Sequence, residues 1–318
     1  MAELAIIIGN GFDIDLGILS RYTDFVKSKE WKELKKKLGS FPTLDYLNHS
    51  LIYHLLNEAN KKDKWFDVEN EIWRFIEKHP VCTKEEIREI ESEFTCLKKA
   101  LREYMIRVSS GYKMDDKKLP CRFLKGMANC HKKIVEINFN YTNPQDFLAT
   151  PIFFYPDFYD QIHVHGSLSE EEIVLGCDIQ KDQSVNRNLS FMYKYNMLNR
   201  ATQVSRNLLE AKEIIFYGHS VNEMDFCYFR EFFKAASASP KPIRHLTFIT
   251  LNEKSERDIK DNIRNQGISV TDLYNNLESL DFIHTEKMYS NDSKEQQKWD
   301  DMLKRISIKD IRSVKRRN

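Results

Sequence analysis

A cluster of three asparagines follows an apolar run and contains side chains that could orient a substrate. The run Ile134–Ile137 predicts a buried β-strand, which Pro144 prevents from continuing. Polar side chains follow the strand at Asn138, Asn140 and Asn143. An asparagine amide both donates and accepts hydrogen bonds, so it can position a hydroxyl group or a water molecule. Asparagine also suits tight turns, which is the purely structural interpretation.

Two histidines alternate along the next short apolar stretch, Q-I-H-V-H-G-S-L. The spacing predicts that His163 and His165 lie on one face of a strand that ends near Gly166. A histidine can act as a general base because its unperturbed pKa of about 6.5 is close to neutral pH. The same spacing could bind a metal ion through two imidazoles. Packing of one ring in the core, more readily His163, is the structural alternative.

The stretch L-A-I-I-I-G-N-G-F-D-I-D-L-G-I near the start of the chain predicts a strand, a glycine turn and a helix. Leu4–Ile8 is apolar and β-branched, as in a strand buried on both faces. Gly9 and Gly11 allow a ligand to approach the backbone closely, and the start of a helix favours an anion such as a pyrophosphate. Ile14 replaces the third glycine of the usual dinucleotide fingerprint. A turn that only connects strand to helix is the alternative.

A second stretch, E-I-I-F-Y-G-H-S-V-N-E-M-D, repeats this design later in the chain. Its apolar run predicts a strand over Ile214–Tyr217, and Gly218 and Ser220 form a polar turn before the next helix. A further apolar run ends at Asn252. Because open parallel sheets bind ligands at the carboxyl ends of their strands, we expect these turns to meet at one edge.

The order of strands and helices predicts an α/β fold with a Rossmann-like parallel sheet and a large inserted helical subdomain. Residues 1–25 and 129–290 are predicted to form the sheet domain, and residues 26–128 the helical insert. Residues 291–318 are predicted to form a C-terminal helix and a basic tail. The basic tail weakly indicates contact with nucleic acid phosphates, and a solvated chain terminus is the alternative.

Periodicity predicts an amphipathic helix in two further segments. The segment W-F-D-V-E-N-E-I-W contains Asp67, Glu69 and Glu71, which we interpret as the wet face of an amphipathic helix, with a catalytic carboxylate as the alternative. The Met-rich and aromatic segment from Ser190 to Ala211 predicts a second amphipathic helix that packs in the core.

The composition excludes several classes of protein. The chain has 318 residues and a net charge of +1, so no overall electrostatic field attracts nucleic acid or a membrane. No apolar run approaches the length of a membrane span and no secretory leader is visible, which predicts a cytoplasmic protein. The six cysteines form no C-x-x-C pair, so we expect reduced thiols rather than a zinc ribbon or a redox motif.

Taken together, the motifs G-x-G-F-D, I-N-F-N-Y-T, H-V-H-G-S and Y-G-H-S-V-N-x-x-D resemble the bacterial abortive-infection AbiH family over essentially the whole chain. That family looks like a distant branch of the sirtuin-like NAD-binding superfamily. The resemblance implies a sirtuin-like Rossmann domain in a phage-defence effector that binds NAD and hydrolyses it to nicotinamide and ADP-ribose. It also implies a phage-derived trigger and a homo-oligomer as possible partners, with no metal ion required.

The resemblance also assigns roles to individual residues. Asn140 falls where sirtuins have the asparagine of T-Q-N-x-D, and His165 where they have the histidine of H-G, which makes these two the expected catalytic residues. Thr142 replaces the aspartate of that motif and the zinc module of four cysteines is absent, so peptide deacetylation is not expected. The residues expected to contact NAD lie in the two glycine turns and after the last motif strand: Gly9, Asn10, Gly11, Phe12, Asp13, Gly17, Gly218, Ser220, Asp225 and Asn252.

Other functions are compatible with the same residues. A metal-dependent nuclease or hydrolase could use His163 and His165 with a nearby acid, such as Asp13, Asp15 or Asp178. A non-catalytic sensor could bind NAD or a related nucleotide and signal to a partner. For NAD cleavage itself, either Asp13 or Asp225 could stabilise the positive charge that develops on the ribose.

Overall fold

A parallel sheet forms the centre of the protein. We analysed a computed structural model that describes residues 2–38, 44–61, 66–113, 115–128, 130, 132–147, 159–170, 173–177, 186–194, 200–238 and 244–307. The strands in these residues are β1 (Leu4–Ile8), β2 (Ile134–Asn138), β3 (Tyr159–His163), β4 (Glu213–Tyr217), β5 (His245–Thr250) and β6 (Ser279–His284). They pair in the order β3-β2-β1-β4-β5-β6, and every pair is parallel.

This order places the topological switch point between β1 and β4. From β1 the chain builds outward through β2 and β3 on one side, and then returns to build β4, β5 and β6 on the other side. The register aligns Ile8 with Asn138 and with Tyr217, so the carboxyl ends of the three central strands lie level. The predicted α/β fold with a Rossmann-like parallel sheet is confirmed, whereas its sirtuin-like character stays a prediction.

Helices cover both faces of the sheet and fill the connection between β1 and β2. Their bounds are α1 (Asn10–Leu16), α2 (Tyr22–Phe25), α3 (Lys29–Leu38), α4 (Leu44–His49), α5 (Leu51–Lys61), α6 (Val68–Lys78), α7 (Lys84–Ser109), α8 (Leu119–Ala128), α9 (Ala201–Glu210), α10 (Phe226–Ala238), α11 (Glu253–Asn265), α12 (Val270–Asn276), α13 (Thr285–Tyr289) and α14 (Ser293–Ser307).

Alternate residues of each central strand bury their side chains on opposite faces of the sheet. In β1, Ala5 and Ile7 pack in a core with residues of α9, α10 and α12. Leu4, Ile6 and Ile8 pack in a second core with residues of α1, α8 and α14. Burial of one large apolar side chain stabilises a fold by about 1.5–3 kcal/mol, so these strands are strongly anchored.

A third hydrophobic core is formed by helices that lie between β1 and β2 in sequence. Side chains of α3, α5, α6 and α7 pack there with residues of the later segments 173–177 and 189–193. Helix α7 begins with a capping box in which Thr83 and Glu86 exchange hydrogen bonds. Helix α8 instead packs with α1 and α14 against the sheet. The proposed boundaries of the helical insert and of the sheet domain stay a prediction.

Two local expectations were wrong in detail. Strand β3 ends at His163, so His165 lies in the following turn and does not share a strand face with it. The segment expected to form one amphipathic helix from Ser190 is interrupted: a 3₁₀ helix ends at Met192 and α9 begins only at Ala201. The cause is a backbone pairing with Cys177, whose N–H donates to Met192 O and whose carbonyl accepts from Lys194 N–H.

Two remaining predictions concern contact with a membrane and with nucleic acid. Among the described residues, none of the helices is both long and apolar enough to cross a membrane. The basic tail beyond Ser307 lies outside the described residues, so its contact with nucleic acid stays a prediction.

Candidate functional site

The two glycine turns meet in direct backbone contact at the switch point. The N–H of Gly9 donates to Tyr217 O at 2.9 Å, and the N–H of Gly11 donates to Gly218 O at 2.8 Å. A Cβ atom on Gly11 would lie 2.6 Å from Gly218 Cα, and one on Gly9 would lie 2.6 Å from the Cα of His219. A side chain at either position would collide with the backbone of the other loop, so both positions require glycine.

These contacts reduce the number of backbone N–H groups with which the first turn could bind an anion. Because the Gly9 and Gly11 amides already donate to backbone carbonyls, neither is free to bind a phosphate in this conformation. Gly17 adopts φ +97° and its N–H donates to the carbonyls of Asp13 and Ile14, so it terminates α1 as a left-handed cap. Phe12 is buried in the core. The ligand contacts predicted for these residues stay a prediction.

Asn140 is held by a buried network beneath the first turn. Its Nδ2 donates to Gly9 O at 3.1 Å and to Asp13 Oδ1 at 3.0 Å. The Thr142 hydroxyl donates to the other Asp13 oxygen at 2.7 Å. Both amide protons of Asn140 are thereby used, and these two acceptors fix the orientation of the amide. Its Oδ1 is the atom of this side chain that remains to accept a hydrogen bond from a ligand.

The Asp13 carboxyl has an unusual affinity for a proton. Burial raises its pKa to about 7, against the opposing hydrogen bonds from Thr142 and Asn140. Asp13 is 1% exposed and lies at the first turn of α1. Near neutral pH this group is therefore divided between its neutral and ionised forms, and its structural role is to hold Asn140.

A second polar cluster surrounds the buried ammonium of Lys194, which is 3% exposed. Lys194 Nζ lies 2.8 Å from Glu69 Oε2, 3.3 Å from Asp225 Oδ1 and 3.3 Å from His165 Nε2. His165 Nε2 is also 3.4 Å from Asp225 Oδ1. The four side chains come from α6, the turn after β3, the segment before α9 and the turn before α10. Only the tertiary fold brings them together.

The electrostatics of this cluster are dominated by one cation and two acids. Burial would lower the pKa of Lys194, but Asp225 and Glu69 raise it well above its ordinary value. Burial would raise the pKa of Asp225, but Lys194 and His165 hold it far below its usual range. Burial and the carboxylates of Asp225 and Asp67 raise the pKa of Glu69, against the effect of Lys194. Asp225 is thus the firmly ionised acid of the site.

His219 completes this cluster from the turn after β4. Its Nδ1 accepts the N–H of Val221 at 2.9 Å, so the ring proton of the neutral form lies on Nε2, which faces Asp225 Oδ2 at 3.7 Å. Burial lowers the pKa of His219 to about 4 in spite of Asp225. Val221 adopts φ +51°, a strained conformation for a β-branched residue. The strain accompanies the hydrogen bond that orients His219.

One aromatic residue links the two clusters. Phe139 directly precedes Asn140 in the chain. Its ring contacts His165 with centroids 5.5 Å apart and His219 with centroids 4.5 Å apart. The structure therefore brings Asn140, Asp13, His165 and Asp225 to the carboxyl ends of β1, β2, β3 and β4.

Other predicted contact residues are occupied by structural hydrogen bonds. Asn252 caps α11 through Lys254 N–H and Ser255 N–H, and its amide donates to Glu286 at 3.1 Å. The exposed Ser220 presents its carbonyl to Asn262 at 3.0 Å. Asn10 is exposed and accepts a hydrogen bond from the Ser20 hydroxyl. Their predicted role in holding NAD stays a prediction.

The geometry around His165 bears on the metal-dependent alternative. A Lys194 ammonium 3.3 Å from His165 Nε2 places a positive charge where a metal ion would need to bind. Within the described part of the chain, no three His, Cys, Asp or Glu side chains are arranged to hold a metal ion. Asp178, one of the acids considered for that alternative, lies outside the described residues.

Lys194 and the role of Glu69 were missed by the sequence interpretation. Glu69 was assigned to a wet helix face, yet it is 8% exposed and pairs with Lys194. Lys194 was placed within a predicted helix, although it lies in the interrupted segment that pairs with Cys177. The sequence contained a signal that Glu69 is buried, because Asp67 is a helix N-cap and the two acids that follow it lie at the start of α6 beside apolar residues. No pattern in the sequence joins Glu69 to a lysine 125 positions later.

Comparison with known protein families identifies a match. The profile of the family described as bacteriophage abortive infection AbiH matches residues 5–244, which is more than half of the chain. The matched range contains both glycine turns, the asparagine cluster and the Lys194 cluster. No curated protein matches the chain.

Proposed function

This chain belongs to the bacteriophage abortive infection AbiH family, and within the phage-defence role that membership implies, we propose that it hydrolyses NAD to nicotinamide and ADP-ribose. The observation that carries the proposal is the position of the two polar clusters at the switch point of a sheet with the strand order 3-2-1-4-5-6. That order and that position are typical of dinucleotide-binding folds. The chemistry is argued from the residues themselves, since a fold alone does not define an activity.

The reaction requires little acid catalysis but strong control of charge and water. Cleavage of the bond between nicotinamide and ribose releases a neutral base and leaves a positively charged, oxocarbenium-like ribose. The enzyme therefore has to stabilise this cation and deliver a water molecule. An uncharged hydrogen-bonding group, a base and an ionised acid are sufficient for these tasks.

In this proposal Asn140 orients the ribose or the attacking water. Its two N–H bonds donate to Gly9 and Asp13, so its Oδ1 would accept a hydrogen bond from a ribose hydroxyl or from the water. Asp13 acts as a positioning residue, because its carboxyl is committed to Asn140 and Thr142.

His165 and Asp225 would supply the base and the negative charge. Burial and Lys194 lower the pKa of His165, so its imidazole is neutral near pH 7 and can accept a proton from water. Asp225 is the better candidate for stabilising the ribose cation, because it is ionised while Asp13 is divided between two forms. This assigns different tasks to the two acids that the sequence could not distinguish.

The test is the release of nicotinamide by the purified full-length protein, alone and with lysate from phage-infected cells. We expect free nicotinamide and ADP-ribose in equal amounts. Free ADP-ribose distinguishes hydrolysis from transfer to a protein acceptor. Asn140→Ala and His165→Ala should each reduce turnover by about 10²-fold or more.

Two matched variants control for general effects of the substitutions. Asn143→Ala removes an asparagine from the same loop, and His245→Ala removes a histidine from the opposite end of the sheet. Both should retain turnover. Unchanged turnover in Asn140→Ala and His165→Ala, or no nicotinamide under either condition, would refute the proposal. Tight NAD binding without turnover would support a nucleotide sensor instead.

A further inference from the structure

Lys194 makes a contact with His165 that has a definite consequence for the position of the imidazole proton. The two nitrogens, Lys194 Nζ and His165 Nε2, are 3.3 Å apart. Both side chains are buried, so this contact is not diluted by solvent. A protonated lysine has three donors and no acceptor. The hydrogen bond from Lys194 therefore requires an unprotonated Nε2, with the ring proton on Nδ1. A hydrogen bond from the same nitrogen to Asp225 Oδ1, 3.4 Å away, would require the opposite tautomer, and this contact is the longer of the two.

We infer that Lys194 is a positioning residue which holds His165 in the neutral tautomer with its lone pair on Nε2, and that Glu69 of α6 holds Lys194 in place. The inference deepens the proposed function, on which it rests for the identity of His165 as the base. The tautomer and its cause are nevertheless properties of the free protein and can be measured without NAD.

Glu69 makes the shorter of the two carboxylate contacts with Lys194. Its Oε2 is 2.8 Å from Nζ, whereas Asp225 Oδ1 is 3.3 Å away and is shared with His165. A buried ammonium needs compensation by a carboxylate, since an unpaired charge in the interior is costly. The helices between β1 and β2 thus reach the sheet edge and complete the polar site through one side chain of α6.

Several charged and titratable groups change the pKa of His165, and they act in opposite directions. Asp225 favours the imidazolium form, while burial and Lys194 disfavour it. Burial lowers the pKa of the neighbouring His219, Asp225 raises it, and His165 and Lys194 lower it further. The further groups that face this cluster from the surrounding elements are Glu69, Asp67, Tyr22, Tyr141 and Tyr228.

The role of Lys194 follows from this balance. With Asp225 alone beside it, His165 would have a higher pKa, because the carboxylate stabilises the imidazolium form against the effect of burial, and it would be a poorer base at neutral pH. The Lys194 ammonium opposes the increase in the pKa of His165 that Asp225 causes, and it keeps the Nε2 lone pair free of a proton by donating a hydrogen bond to it. When substrate binds, a water molecule that replaces Lys194 at Nε2 would find an acceptor already free of a proton.

The experiment is histidine side-chain NMR on the full chain, with His165 assigned by comparison with His165→Gln. In the wild-type protein we expect the nitrogen shifts of neutral His165 to show a protonated Nδ1 and an unprotonated Nε2. A proton on Nε2 would overturn the inference without any further variant. This measurement does not depend on NAD turnover, so a protein that fails to cleave NAD can still support it.

A pH titration of variants then tests the cause. Lys194→Met should raise the pKa of His165 by at least one unit, a tenfold increase in proton affinity. In Glu69→Gln the ammonium loses its shortest contact, so the tautomer with the proton on Nδ1 should become less populated, whereas Lys194→Arg should leave the pKa of His165 near the wild-type value. Lys260→Met, which removes a lysine paired with Glu256 at 2.6 Å on α11, is the matched control and should leave His165 unchanged.

Each outcome decides the inference. An unchanged pKa of His165 in folded Lys194→Met refutes it, as does an equal shift in Lys260→Met. If Lys194→Met does not fold, Glu69→Gln and the wild-type tautomer carry the test. If NAD turnover is present, its acidic limb should move to higher pH in Lys194→Met, in the same direction as the NMR shift.

Discussion

Substitution of Gly218 by alanine should destabilise the protein far more than the same substitution at another glycine with a similar positive φ. Gly218 adopts φ +66°, and a Cβ there would lie 2.3 Å from Phe12 N and 2.5 Å from Gly11 C. Gly267 adopts φ +79°, and a Cβ there meets no atom within 4 Å. The two sites share the same unfavourable φ and differ in the space around them.

The magnitudes separate the two causes. A non-glycine residue in the left-handed region costs about 1–2 kcal/mol, and this term applies to both variants. Overpacking against a rigid neighbour costs about a further 1–3 kcal/mol, and this term applies to Gly218→Ala alone. The gain from a less flexible unfolded chain is the same for both variants and cancels in the comparison. We therefore expect Gly218→Ala to be less stable than Gly267→Ala by about 1–3 kcal/mol.

Gly11→Ala tests the same contact from the other side. Gly11 lies in the first turn of α1, where replacement of glycine by alanine normally stabilises a helix by about 0.5–1 kcal/mol. Here a Cβ would lie 2.6 Å from Gly218 Cα, which is backbone and cannot rotate away. We expect the sign to reverse, with a loss of about 1 kcal/mol or more.

The assay is urea unfolding followed by tryptophan fluorescence, with free energies obtained by linear extrapolation. Gly111→Ala, at φ +72° with no neighbour within 4 Å, provides a second control. Equal stabilities of Gly218→Ala and Gly267→Ala would refute the close backbone crossing at the switch point. A stabilised Gly11→Ala would refute it independently.

Two further predictions concern a buried acid and a helix cap. Because the pKa of Asp13 is raised to about 7 in the folded state from 3.8, the folded protein binds more protons than the unfolded chain between these values, and its stability falls as pH rises through this window. Asp13→Asn should remove that fall. The free energy of unfolding of this variant should equal that of the wild type near pH 4 and exceed it by up to about 4 kcal/mol at pH 8. Parallel pH profiles of the two proteins would contradict the assignment. Thr83→Ala removes the hydroxyl that accepts Glu86 N–H at the start of α7 and should cost about 1 kcal/mol in thermal or urea unfolding, whereas Thr83→Ser should cost less than half as much.

Local sequence patterns accounted for most of the secondary structure around the site. The apolar, β-branched runs located β1, β2 and β4 to within one residue, because short runs of this composition are typical of strands that are buried on both faces. The glycines and asparagines that follow those runs marked the carboxyl edge of the sheet. Sequence patterns failed from Ser190 onward, where pairing of Tyr193 with Cys177 interrupted a segment of helical periodicity.

The sequence by itself determined that this protein has a parallel sheet and which turns lie at its carboxyl edge, because hydrophobic periodicity and glycine positions are local properties of the chain. Only the tertiary structure decided that Gly9 and Gly11 use their amides on β4 and its turn, and that Asn140 is anchored by Asp13. It also decided that a lysine hidden in an apparent helix meets Glu69 and Asp225. A buried charge is tolerated only where distant partners compensate it, and the positions of such partners are set by the fold.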